Sequence, residues 1–293
     1  MIKKTTGEIE NIKDGNNSNE IVVTINGYDF TIKADTLTYV VGTVSVSMPS
    51  NILQRSTQFN FLGVSSIDKS SIQTITFKTD LTTPAEDVVD TYDVGIVPGE
   101  VTMWVDSGNN IIIGANGRIR ANLDSSNLFY NFTAVTDIYG LTNMDTSGVN
   151  NMASMFFGLN YVTGLDLSSF NTSRVTNMSN MFGWVSSALQ DLDLSSFDTS
   201  NVKDMNNMFY SMNALIHLHL TSFDTSNVTN MTSMFNWDSS LANLEFENAD
   251  FSSVTSKTAM FSNVPTSCTI RVKDNNAKAF IQTVFSGTNI IIP

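Results

Sequence analysis

Two histidines and two aspartates have the residue types and the spacing that could bind a divalent cation. His217 and His219 are the only histidines of the chain, and they alternate with apolar residues, so both side chains lie on the open face of a predicted strand. Asp191 and Asp193 occupy the same positions 26 residues earlier. If the two segments are adjacent parallel strands about 4.8 Å apart, the four side chains could share a metal ion. Zinc prefers three or four converging ligands, which a sheet face spreads apart, so we expect no metal and no other cofactor.

A pH-sensitive patch is the alternative role for the histidines. The next segment of the same kind places Asn243 and Glu245 beside them, followed by Glu247. Neighbouring carboxylates favour the charged imidazolium and raise the histidine pKa, so a contact that needs this charge weakens as the pH rises. A third interpretation is a solvated surface on which the histidines only relieve acidic repulsion.

These residues belong to a repeated unit. Nearly the same eighteen residues occur three times, as LDLSSFNTSRVTNMSNMF from Leu165, LDLSSFDTSNVKDMNNMF from Leu192 and LHLTSFDTSNVTNMTSMF from Leu218. The methionine of the closing Met-Phe pair recurs at intervals of 26, 27, 26 and 26 residues, at Met155, Met181, Met208, Met234 and Met260. A period in the twenties is typical of stacked units that share one core.

Each unit changes its hydrophobic period once. Leu192 and Leu194 alternate with polar residues, which predicts a strand with one buried face. Thr199 and Ser200 then predict a helix N-cap, and the apolar spacing after them predicts a short helix. We therefore predict an α/β fold, a leucine-rich-repeat solenoid with parallel strands and short helices, preceded by a small all-β domain. The methionine stripe at helical spacing is predicted to be core, although a binding groove is the alternative.

The recurring DTS triplets have two interpretations. Their aspartates, Asp145, Asp198 and Asp224, could be calcium ligands, but their position before each predicted helix favours caps and turns.

The pattern LDLSSFDTSNVxxMxxMF resembles the BspA-like leucine-rich repeats of bacterial surface proteins, which are the same family as repeats of mycoplasma lipoproteins. Residues 101–132 are similar to the segment that commonly leads into the first repeat of that family. The resemblance covers about residues 92–270. It implies a curved solenoid used for binding and adhesion, without catalytic residues. Many relatives carry an export signal and an anchor, and this sequence displays neither.

The chain divides into five predicted segments. Residues 1–78 form a small β sandwich or barrel, either an attachment domain or a spacer, whose clearest signal is the hairpin at 20–32 around Asn26-Gly27. Further strands are predicted at 39–47, 57–61 and 72–78. The remaining segments are a linker at 79–92, an N-terminal cap and degenerate first turn at 93–138, five repeats at 139–268 and a C-terminal cap at 269–293.

Composition limits the classes of partner and location. The net charge of -13 argues against binding nucleic acid. No apolar run approaches the roughly 18 residues of a membrane span, so we expect no direct membrane insertion. The single cysteine, Cys268, cannot form an intrachain disulfide. We expect an extracellular, cell-surface or virion-exposed protein, with no signal peptide visible.

We therefore predict a protein that is not an enzyme but recognises a protein or glycan on a cell or matrix surface. The alternative is a structural or receptor-binding component of a phage or phage-tail-like particle, bound to other virion proteins through the N-terminal β domain; a carbohydrate-active enzyme ranks third. Aromatic residues and one arginine near the turns are secondary contact candidates: Trp184, Trp237, Tyr210 and Arg174. The predicted binding face consists of Asp166, Asp191, Asp193, His217, His219, Thr221, Asn243, Glu245 and Glu247.

Overall fold

A computed structural model of the chain describes residues 9–14, 20–25, 28–33, 51–57, 61–84, 87–96, 98–185 and 188–293. The chain divides into two compact units, Met1–Ser50 and Asn51–Pro293. This division lies well before the predicted boundary at residue 78. Within the described part of the chain, no helix has the length and apolarity that crossing a membrane requires.

The first unit contains a three-stranded antiparallel sheet in the order β1-β2-β3, formed by β1 (Ile9–Asp14), β2 (Glu20–Ile25) and β3 (Tyr28–Lys33). Ile25 pairs with Tyr28, so β2 and β3 form the predicted hairpin. Its turn residues, 26 and 27, and the predicted strand at 39–47 lie outside the described residues, as do positions 58–60 of the strand predicted at 57–61.

The second unit begins with a five-stranded sheet in the order β5-β6-β7-β4-β9. Its strands β5, β6 and β7 are antiparallel neighbours, whereas β4 pairs in parallel with β7 and β9. Because β4 and β5 both belong to this sheet, the linker predicted at 79–92 overlaps a paired strand. The ranges are β4 (Thr74–Lys78), β5 (Val88–Asp93), β6 (Val101–Asp106), β7 (Asn110–Ala115) and β9 (Asp137–Tyr139).

The repeats stack through parallel strands. A second five-stranded sheet has the order β11-β12-β13-β14-β15, and every neighbouring pair in it is parallel. A shorter parallel pair, β8 with β10, lies earlier in the chain. The ranges are β8 (Ile119–Arg120), β10 (Met144–Asp145), β11 (Asp191–Asp193), β12 (His217–His219), β13 (Asn243–Phe246), β14 (Thr269–Val272) and β15 (Ile290–Ile291).

The prediction of an α/β solenoid with a short helix in each repeat is wrong, because the second unit consists mostly of β structure and turns. The described residues contain one α-helix, α1 (Asn275–Gln282), outside the repeats, and a single 3-10 turn at Leu141–Asn143. Asp274 caps α1 through hydrogen bonds from the backbone amides of Asn276 and Ala277.

Backbone hydrogen bonds between repeats explain why the Met-Phe segments are not helical. The amides of Met178, Asn180 and Phe182 donate to carbonyl oxygens of the next repeat at 2.8–3.0 Å, whereas helical amides donate within their own segment. Asn180 also has a left-handed φ of 57°, which a right-handed helix excludes. The equivalent residues in the other repeats share this conformation: Ser154, Asn207, Ser233 and Ala259.

The predicted burial of the apolar positions is confirmed. Met178, Met205 and Met231 are fully buried, as are Leu192 and Leu194 of the strand segment. Phenylalanines of successive repeats stack with ring centroids 4.9–5.8 Å apart along the series Phe129, Phe156, Phe182, Phe209, Phe235 and Phe261. The methionine stripe is therefore core, and the strand side chains between the leucines remain available at the surface.

Candidate functional site

The open face of strands β11, β12 and β13 brings the predicted polar residues into register. Asp191 pairs with His217, and His217 with Asn243. One position further along, Asp193 pairs with His219 and His219 with Glu245. Because Leu218 between the histidines is buried, both histidine side chains lie on the open face, as the alternation predicts.

His219 is the centre of this face. Its Nδ1 lies 2.8 Å from Oε2 of Glu245, and its Nε2 lies 3.5 Å from Oδ1 of Asp191. The hydrogen bond to Glu245, with further electrostatic contributions from Glu245, Asp191 and Asp193, raises the pKa of His219 above its ordinary value, although partial burial opposes this shift. The predicted direction of this shift is confirmed for His219.

An open depression of about 290 Å³ lies beside this imidazole, lined by Asp191, Asp193, Ser195, His219, Thr221 and Glu245. Asp193 accepts a hydrogen bond of 2.8 Å from the backbone amide of Ser195. Hydrogen bonds from Ser195 hold the pKa of Asp193 below its usual range. Asp193 therefore stays ionised at neutral pH, which suits a cationic group of a partner.

His217 has a different environment. Nδ2 of Asn243 lies 3.0 Å from its Nδ1, and because an amide nitrogen only donates, Nδ1 is the acceptor. The two histidines thus bind different neighbours instead of converging on one point. In the part of the chain that the structure describes, no group of three or more His, Cys, Asp or Glu side chains is arranged to hold a metal ion.

The remaining members of the predicted face lie at its margins or outside it. Thr221 lines the depression, and Glu247 continues the alternation one residue beyond β13. Asp166 lies outside the sheet of β11–β15, and its Oδ1 accepts hydrogen bonds from the amide and hydroxyl of Ser168. The DTS aspartates behave in the same way: Asp198 accepts from the amide and hydroxyl of Ser200, within its own turn.

Sequence reasoning missed two residues of this face. Ser195 lines the depression, and Arg271 of β14 pairs with Glu245 in the strand register. The 26-residue period contains the signal for Arg271, because it follows Glu245 by that interval. For Ser195, the signal is its position two residues after Asp193, on the same side of the chain.

The secondary candidates lie on the turns. Trp184 and Trp237 are 49% and 51% exposed, so exposure rather than packing under a loop is observed for both. The ring of Tyr210 lies 6.1 Å from that of Trp184. Arg174 is exposed, in the turn that follows Asn171.

Comparisons with known proteins identify one family. No curated protein and no solved structure matches the chain. Residues 123–218 and 184–279 match the family described as "Mycoplasma protein of unknown function, DUF285". The two matches together span residues 123–279, which include β11–β14 and the polar face, and amount to more than half of the chain. The protein therefore belongs to this DUF285 family.

Proposed function

We propose that this protein is a non-catalytic recognition protein, exposed on a cell surface or outside the cell, that binds a partner through the open face of β11–β13. The observation that carries the proposal is the depression beside His219, where Asp191, Asp193 and Glu245 present carboxylates around one imidazole. The likeness of the repeats to BspA-like surface proteins supports an adhesive role.

The partner contributes a lysine or arginine side chain. An open depression that contains three carboxylates attracts a cation, and a basic group also complements the net charge of -13. Protonation of His219 neutralises part of this negative charge. Binding of a cationic group therefore strengthens as the pH rises through the raised pKa of His219, opposite to a contact that requires the imidazolium.

The test measures binding of the fluorescently labelled full chain to cultured host cells and to immobilised matrix proteins. The double variant Asp193→Asn, Glu245→Gln removes two charges of the depression. Its matched control is Asp166→Asn, which removes a carboxylate of the same repeat pattern outside the sheet. We expect the double variant to lose most binding and the control to retain it; equal binding by all three proteins contradicts the proposal.

A second candidate is a structural or receptor-binding component of a phage or phage-tail-like particle. The separate unit Met1–Ser50 favours it, because an appended three-stranded module suits attachment to a larger assembly. Mass spectrometry of washed cell envelopes and purified extracellular particles separates the two candidates. Enrichment with particle proteins supports the virion component, and enrichment in envelopes supports the surface protein.

A further inference from the structure

One surface column of the repeats contains two tryptophans where the other repeats have small or amide residues. This column, which we call the turn edge, is formed by the residue two positions after each stacked phenylalanine. All six residues have a left-handed φ: Asn131, Gly158, Trp184, Ser211, Trp237 and Asn263.

The backbone at the turn edge does not favour tryptophan. A left-handed φ suits glycine and asparagine, whereas a bulky side chain there is a conformational outlier. Trp184 and Trp237 nevertheless adopt φ of 60° and 70°. Burial accounts for only part of their surface, because both residues are about half exposed. Strained residues cluster at functional sites, so this pair points to a binding role.

The two indoles lie on alternate repeats of one rigid edge. The backbone amides of Trp184, Ser211 and Trp237 each donate to a carbonyl oxygen of the next repeat at 2.8–2.9 Å. Two such steps place the backbones of the tryptophans ~10 Å apart. Ser211 between them is small and buried, and the ring of Tyr210 from the same repeat lies beside that of Trp184.

A buried carboxyl group joins two adjacent turns of this edge. Asp238, which follows Trp237, accepts a 2.9 Å hydrogen bond from the backbone amide of Met212, which follows Ser211. The equivalent positions of the neighbouring repeats hold apolar residues, such as Val185 and Val264. Asp238 thus acts as a positioning residue that ties together the two turns bearing Ser211 and Trp237.

The sequence segments around the indoles carry no charged side chain at the surface. In the nine-residue sequence windows centred on Trp184, Tyr210 and Trp237, the single Asp, Glu, Lys or Arg is Asp238, which is fully buried. Amides lie close by: Asn213 donates to the hydroxyl of Ser211. In a chain with a net charge of -13, an uncharged aromatic patch favours a neutral partner over a basic one.

We propose that the turn edge binds a neutral glycan, with sugar rings stacked on Trp184 and Trp237. The apolar C–H face of a pyranose ring fits the electron-rich face of an indole. Amide side chains beside the rings, including Asn213 and Asn236, hydrogen-bond to the sugar hydroxyls. This site is separate from the acidic depression and does not depend on the role proposed for it.

The test titrates the full chain with three neutral probes, cellohexaose, maltohexaose and fully N-acetylated chitohexaose, and follows tryptophan fluorescence and binding heat. Trp104, the third tryptophan, is only 4% exposed, so the response reports the two turn-edge indoles. The variants are Trp184→Asn and Trp237→Asn, because asparagine occupies the same position at Asn131 and Asn263. The matched control is Tyr161→Ala, which removes an aromatic ring that is 57% exposed elsewhere.

We expect at least one probe to bind the wild type, each single variant to bind about tenfold more weakly, and the double variant to lose binding. Because asparagine suits the left-handed backbone, the Tm of these variants stays equal or rises, which separates lost binding from lost folding. No binding of any of the three probes, or binding unchanged in the double variant, overturns the proposal. Binding of choline without any of the sugars also overturns it, in favour of a cation–π site.

Discussion

The interior columns of the repeats hold the same residue in almost every repeat, whereas the surface columns change from one repeat to the next. Inside, phenylalanine stacks on phenylalanine from Phe129 to Phe261. On the sheet face, the column through Asp193 continues with His219, Glu245 and Arg271. The interior residues therefore repeat because they pack against each other. The surface columns vary and give each repeat a different chemistry.

The largest expected effect comes from interrupting the phenylalanine stack. Phe209 is fully buried between Phe182 and Phe235, with ring centroids 5.8 and 5.6 Å away. Phe209→Ala should lower the free energy of unfolding by about 3–5 kcal/mol, because it leaves a cavity that stacked repeats cannot collapse. Urea denaturation measures this loss, with the exposed Tyr161→Ala as control. A decrease in the free energy of unfolding below about 1 kcal/mol would show that the phenylalanine stack contributes little to stability.

Asp238 sharpens the comparison because it is a carboxyl group at a buried position where neighbouring repeats hold apolar residues. Burial raises the pKa of Asp238 well above its ordinary value, against the hydrogen bond from Met212. The stability linked to its protonation is complete below the unfolded pKa, about 3.9, and is lost as the pH rises toward the folded pKa. Asp238→Asn keeps an acceptor for the Met212 amide without titrating. Its Tm should therefore fall less than that of the wild type above about pH 4.

Thermal unfolding from acid to neutral pH measures this difference. Parallel Tm curves for the wild type and Asp238→Asn would mean that the carboxyl group does not titrate in the folded protein in this range. Asp145→Asn is the control: partial burial opposes the shift, but hydrogen bonds from Ser147 and the charges of Arg118 and Arg120 hold the pKa of that carboxyl below its usual range.

The period, the buried columns and the strand register could be predicted from the sequence. Leucines that alternate with polar residues predict the open face of β11–β13, and the 26-residue interval predicts that Asp193, His219 and Glu245 are neighbours. The helices were predicted wrongly because methionines at helical spacing also fit a chain that turns at every left-handed residue. Asparagine at Asn180 and Asn207 was the available signal, since it tolerates that conformation.

Other features depend on tertiary contacts that a single repeat does not contain. Thr199 has the residue type of a helix cap, yet its hydroxyl donates 2.8 Å to the carbonyl of Asp224 in the next repeat. Asp166 has the same local sequence as Asp193 but lies outside the sheet of β11–β15. Trp184 and Trp237 are half-exposed, whereas Ser211 at the equivalent position between them is buried. These three features result from the stacking of repeats, and the sequence pattern of a single repeat does not specify them.

A smaller effect is expected from the threonine column. Thr199→Val keeps the shape of a fully buried side chain but removes its hydrogen bond to Asp224, so the free energy of unfolding should fall by about 1 kcal/mol. Ser200→Ala is the neighbouring control, because that hydroxyl donates to Asp198 within its own turn. Chemical denaturation compares the two. If Ser200→Ala lowers the free energy of unfolding as much as Thr199→Val does, the hydrogen bond between repeats stabilises the protein no more than the one within a turn.

The smallest effect is expected on the sheet face, where His219 is partly exposed. The hydrogen bond that Nδ1 of His219 donates to Glu245 raises the pKa of His219, so its stabilising contribution is complete below the unfolded pKa, about 6.5, and is lost as the pH rises through the folded pKa. His219→Gln removes this pH dependence but can still bind Glu245. Because a third of the side chain is exposed, solvent screening keeps the difference below about 1 kcal/mol.

Urea midpoints for the wild type, His219→Gln and His217→Gln test this expectation between about pH 5 and pH 9, which is about 1.5 units below and about 2.5 units above the unfolded histidine pKa. His217→Gln is the matched control, because Nδ1 of His217 accepts a hydrogen bond from the uncharged Asn243, and its other strand neighbour, Asp191, contacts the imidazole of His219. If stability declines as the pH rises, and this decline disappears only in His219→Gln, the decline arises from the pair of His219 and Glu245. If the decline persists in that variant, the carboxylates of the face act on stability without this imidazole, and the surface column contributes to folding as well as to recognition.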